Sequence, residues 1–111
     1  MYIANLIDKH FEDFINLCQS YKVDKIYAFG SSITDHFDPL KSDIDNVVNI
    51  DIDDPIDRGE ALLSFWDGLE ILFSRRVDLL TEASIRNPYL KKNIERTKRL
   101  IYDRERKEIL I

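Results

Sequence analysis

With a single cysteine, Cys18, in 111 residues, the chain is excluded from internal disulfides and from multi-cysteine metal sites. Glycine and proline number only three each, which excludes fibrous, low-complexity and linker-rich organisation. Apolar runs extend over a few residues, far short of the ~20 that a membrane-spanning helix needs. The opening MYIANLIDKHF has neither a basic stretch nor a small-residue cleavage site, so no secretory signal is expected and the cytoplasm is the default compartment. What remains is ordinary globular composition, 44% hydrophobic and 33% charged. This length predicts a single domain over residues 1–111. Such a domain buries roughly two-thirds of its unfolded surface, enough for one core but not for an enclosed site. Any chemistry should lie in an open cleft.

The net charge of -5 is unevenly spread. Residues 1–69 hold five Lys/Arg against fourteen Asp/Glu, about -9, and residues 70–111 hold eleven against seven, about +4. An acidic front half repels phosphates unless cations intervene, so direct DNA binding is not expected. The basic back half, with Lys91, Lys92, Arg96, Lys98 and Arg99, reads first as a solvated helix face and second as a surface for an acidic partner.

Ile3, Leu6, Ile7, Phe11, Phe14, Ile15 and Cys18 recur at spacings of three and four, predicting one amphipathic helix over 2–20. Lys25–Phe29 reads as a buried strand stopped by Gly30-Ser31-Ser32, with Tyr27 and Phe29 expected in the core. Residues 33–42 read as a polar loop. Residues 43–51 predict a second strand, with Asp43, Asp45 and Asn49 on one face and Ile44, Val48 and Ile50 on the other. Asn46 falls on the apolar side, where it needs a hydrogen-bond partner. Pro55 and its preceding acids open a helix to about residue 73, with Gly68 a weak point. A third strand is expected at 77–81, a helix from Pro88 to about Arg99 and a short edge strand at Leu100–Tyr102. The tail 103–111 carries no structural expectation. The order predicts an α/β (α+β) domain, a small mixed sheet of three to four strands flanked by helices.

Three features bear chemistry. Gly30-Ser31 ends a strand, where glycine lets backbone amides approach an anion and serine adds a donor, although a plain turn has the same composition. Asp43 and Asp45 stand at i and i+2, so both carboxylates project into one space, roughly 7 Å apart at their Cα atoms. Like charges held side by side need solvent or a cation, and oxygen ligands of this kind suit Mg²⁺. Asp78 lies one residue into an apolar strand, where a lone carboxylate is costly to bury. Each has a bland reading as a turn, a hydrated edge or a strand start. Cys18, Trp66 and the histidines read as structural or as surface residues.

Jointly, FGSSITDHFDPLKSDIDNVVNI and LEILFSRRVDLLTEASI resemble the minimal nucleotidyltransferases of the DNA polymerase β-like superfamily, the MNT type paired with HEPN toxins. The resemblance covers roughly residues 23–103. It implies a nucleotidyltransferase-like fold, with Asp43, Asp45 and Asp78 as catalytic and metal-binding residues for Mg²⁺, two ions in number. Gly30 and Ser31 would hold the triphosphate of ATP as co-substrate. The reaction implied is transfer of AMP to a hydroxyl, a tyrosine of a HEPN toxin partner, with this chain as antitoxin. A catalytically weak nucleotide-binding or toxin-neutralising module of the same fold is the alternative, and homo-oligomer formation is left open. Two departures stand out: Ser32 and Ile33 follow Gly30-Ser31 where many relatives carry an arginine, and Asn46 stands where the family usually has an aliphatic residue.

Overall fold

The first helical stripe folds as two helices rather than one. In the computed structural model, which describes residues 2–33 and 43–105, α1 spans Tyr2–Lys9 and α2 spans Phe11–Ser20. His10 between them leaves helical geometry, at φ -122° and ψ 34°. The bend turns Ile3 and Ile7 of α1 and Phe14 and Cys18 of α2 into one core and leaves Phe11 half exposed. Docking on the sheet overrides local helix propensity here.

Strand β1 (Val23–Phe29) begins two residues earlier than its hydrophobic pattern predicts. It passes at Gly30 into one turn of 3-10 helix, Gly30–Ile33. The loop expected over 33–42 falls, from residue 34 on, outside the described residues. Strand β2 (Ile44–Ile50) leads to α3 (Pro55–Phe73), which is continuous through Gly68. A Cβ at Gly68 would stand 2.6 Å from Leu17 Cδ1, so a larger residue there requires the Leu17 side chain to shift where α3 packs on α2. Asp54 caps α3 by accepting from the Ile56 N–H at 3.0 Å, and Pro55 occupies the first turn. Then come β3 (Val77–Leu80), α4 (Pro88–Thr97), capped by Asn87, and β4 (Arg99–Asp103).

The four strands form one mixed sheet in the order β3-β2-β1-β4. β1 is antiparallel to both β2 and β4, while β2 and β3 are parallel and joined through α3. One face is sealed by α1–α3 over Ile26, Ala28, Ile44, Val48, Phe65, Leu69 and Tyr102, all essentially without exposure. Phe14 stacks on Phe73 and meets Tyr102 edge-on. The other face is only partly covered, by α4, where Ile94 and Lys98 lie over Val47 and Tyr27. Tyr27 and Phe29 alternate onto this second face and stay half-buried outside the main core, contrary to the expectation that they fill it. No helix among the described residues is long and apolar enough to cross a membrane.

Candidate active site

Asp43, Asp45 and Asp78 meet at one end of the sheet because β2 and β3 are parallel and in register. Ile44 pairs with Val77 and Asp45 with Asp78, so the two carboxylates leave adjacent strands on the same face, with Cα atoms roughly 5 Å apart. Asp43, one step before β2, projects to that face by alternation. Phe29 is the partner of Asp45 on β1, and Gly30 follows it.

Gly30 is held at φ +66°, a region that side chains rarely adopt, and a Cβ there would stand 2.6 Å from Asp45 Oδ2. The glycine therefore serves both the turn and the space of the Asp45 carboxylate. The Ser31 side chain, expected to donate to an anion, lies outside the described residues. His36, Asp35, Asp38 and Lys41 lie outside them as well.

The electrostatics follow from this crowding. Asp45 is half-buried, and its carboxyl is pushed up to about 6, first by burial and then by the charges of Asp78 and Asp43, with a hydrogen bond to Asp78 adding to the shift. Asp78 itself is exposed at the sheet edge, so the cost of burial falls on Asp45 rather than on the acid for which it was expected. Among the described residues no three His, Cys, Asp or Glu side chains close into a ready metal cage. The set is open, built wholly of carboxylate oxygen. Such donors fit a hard divalent cation that takes its remaining ligands from phosphate and water.

Edge strand β3 is fixed by α3 through two contacts absent from the sequence reading. Glu70 Oε2 accepts from the Val77 N–H at 2.9 Å, and the Trp66 indole N–H donates to the Val77 carbonyl. Both outward-facing groups of the residue before Asp78 are thus paired, which blunts the edge and sets the position of Asp78. Trp66 packs helix against sheet, as expected, with this bond in addition. The spacing of Trp66 and Glu70, one helical turn apart, is the only sequence trace of this clamp. Asn46 is fully buried on the sealed face and donates through Nδ2 to the Tyr27 carbonyl at 3.1 Å, while its Oδ1 has no partner. Cys18 is a buried thiol with its pKa raised by burial, unsuited to nucleophilic work. A cleft of about 610 Å³ lies at the opposite ends of β2 and β3, lined by Asp51, Asp53, Arg58 and Glu82, and none of the three acids borders it.

Comparison with known proteins places these features in a family. A family model described as a nucleotidyltransferase domain matches residues 13–101. Two proteins of Methanocaldococcus jannaschii, provisionally named protein adenylyltransferases, are similar in sequence. One is 38% identical over 93 residues, covering 84% of this chain and 88% of the relative. The other is 40% identical over 79 residues, covering 71% and 77%. In structure, the chain is similar to one from a toxin–antitoxin complex with AMP-PNP, at TM-score 0.58 and 24% identity over 86% of this chain and 76% of that one. It is also similar to a chain from the Shewanella oneidensis complex of a tri-AMPylated HEPN toxin with its MNT antitoxin, at TM-score 0.50 and 24% identity over 96% and 76%. At these identities the structural likenesses speak for the fold.

Proposed function

The chain belongs to the nucleotidyltransferase domain family, and from that premise we propose that it transfers AMP from ATP, with Mg²⁺, to a protein hydroxyl. The acceptor in this reading is a tyrosine of a HEPN-type toxin, with the chain acting as its antitoxin in the cytoplasm. The fold shared with chains from toxin–antitoxin complexes supports that partner. The observation that carries the reading is the Asp45–Asp78 register beside Gly30, which gathers three carboxylates at a strand-ending turn whose glycine makes room for the Asp45 carboxylate.

Asp43 and Asp45 are the residues that would hold the cations, two in number, and Asp78 completes the set. Mg²⁺, when bound, neutralises charge at the α-phosphate and lowers the pKa of the attacking hydroxyl. Gly30 and Ser31 hold the triphosphate through the turn. Asp78, the exposed acid of the three, is the one within reach of an acceptor on a separate protein and takes up its proton. The oxygen–phosphorus bond to the acceptor forms as the bond to pyrophosphate breaks, so AMP is transferred and pyrophosphate leaves.

A second reading keeps the fold as a nucleotide-binding or neutralising module with little turnover, and Ser32 and Ile33 in place of an arginine after Gly30-Ser31 favour it. Incubation with ATP labelled at the α-phosphate, Mg²⁺ and the co-purified operon partner separates the two. Transfer predicts label on the partner that disappears with Asp45→Ala. Neutralisation without label, unchanged by that substitution, supports the module instead.

A further inference from the structure

We propose that Lys98, at the junction of α4 and β4, is the protein's own cation for the leaving end of the nucleotide's triphosphate; this rests on the function proposed above. Its position follows from the register. Ala28 pairs with Arg99, so one residue further along, Lys98 comes level with Phe29, and Phe29 pairs with Asp45, which pairs with Asp78. The backbones of Lys98, Phe29, Asp45 and Asp78 thus lie in one row across the sheet, with the Lys98 ammonium turned two residues along β1 onto Tyr27. Two strand spacings, roughly 10 Å, separate the lysine backbone from Asp45, a gap that a bound triphosphate chain can bridge.

The side chain is held on the face that carries the acids. Its ammonium lies 4.3 Å from the centroid of the Tyr27 ring, and the side chain is 20% exposed. Tyr27 sits two residues before Phe29 on that face. The ion pair of Lys98 is a loose one, 3.9 Å from the half-exposed Glu95 one turn back on α4. A cation stacked on a ring and weakly neutralised keeps charge available for an anion. Triphosphate carries more negative charge than the cations at the three acids offset, and the Lys98 ammonium, swung from Tyr27 toward the level of its own backbone, stabilises the departing pyrophosphate as its charge develops. The chain has Ser32 and Ile33, not a basic residue, directly after Gly30-Ser31, so the turn itself brings no cation to that end.

The test is calorimetric titration of the full chain with ATP and separately with AMP, each with Mg²⁺, in the wild type, Lys98→Met and Lys98→Arg. Methionine keeps the apolar stem on Tyr27 and removes only the charge. ATP affinity should fall about tenfold in Lys98→Met, the loss of one charged hydrogen bond, with AMP affinity unchanged and Lys98→Arg close to wild type. Unchanged ATP affinity in a folded Lys98→Met variant, or equal losses for ATP and AMP, overturns the role of Lys98 alone. A wild type that binds no ATP at all overturns the proposed function and this role with it. Should Lys98→Met not fold, Lys98→Gln carries the same comparison.

Discussion

The two faces of β2 are built for opposite ends. The even-numbered face, Ile44, Val48 and Ile50 with Asn46 among them, is sealed under α1–α3. The odd-numbered face, Asp43, Asp45, Val47 and Asn49, is covered only in its middle, where α4 reaches Val47. Eight residues, Asp43 and the seven of β2, therefore hold both a core layer and two acids whose like charge, with that of Asp78, resists folding in the absence of cations. The lesson is that stability and chemistry are separable within one strand, and substitutions should sort by face.

The largest effect should come from Asp45→Asn. Transfer activity should fall by on the order of a hundredfold to a thousandfold, the scale of losing one group that stabilises transition-state charge. Thermal stability should hold or rise, because repulsion with Asp43 and Asp78 is relieved. Labelled-ATP assays and melting curves check both halves, and marked unfolding of the variant would erase the distinction between the faces. Phe65→Ala on the sealed side should do the reverse, lowering unfolding free energy by about 3–5 kcal/mol through the cavity it leaves. Denaturant titration measures this, and the transfer rate per folded molecule should change little.

Gly30→Ala sits where the faces join. It forces φ +66° on a residue with a Cβ and drives that atom onto the Asp45 carboxylate. A destabilisation of about 1–2 kcal/mol is expected from the backbone conformation alone, with a larger loss of nucleotide affinity. Retention of full affinity would show that the turn does not shape the site.

Titration gives a sign that follows from Asp45. Its carboxyl titrates at about 6 in the folded chain, above its ordinary value near 3.9. The folded state then binds the proton more tightly, so its contribution to stability is present below about pH 4 and is lost as pH rises to about 6. Without divalent cations, unfolding free energy should decline across that window, and Asp45→Asn should flatten the decline. With Mg²⁺ or Mn²⁺ the proton is displaced, so cation affinity should drop as pH falls below about 6.

The smallest effect is expected at Asn46. Its Oδ1 is buried without a partner, so replacement by leucine removes an unsatisfied acceptor and one hydrogen bond together. The change in stability should be near zero or favourable in melting measurements, and activity should persist.

Much of this arrangement was legible in the residues. Alternation in DIDNVVNI separates the two faces of β2, and the spacing from Gly30-Ser31 to Asp43 and Asp45 points to the residues proposed for the chemistry. The mixed sheet followed from a connection too short for a crossover helix between the first two strands. The break at His10 was not legible, because the same apolar spacing serves one straight helix or two docked ones. Nor was the distribution of burial among the acids. An aspartate in an apolar strand looks buried until β3 is known to be an edge, and only then does the cost move to Asp45. Lys98 was hidden among its basic neighbours because its row with Asp45 exists only through strand pairing across β1.

The most direct measurement is anomalous scattering from crystals grown with Mn²⁺ and a non-hydrolysable ATP analogue. Manganese peaks bounded by Asp43, Asp45 and Asp78, with the phosphate chain at Gly30, are the predicted result. Clear nucleotide density elsewhere, for instance in the cleft beside Asp51 and Asp53, with no metal among the three acids, would contradict the account.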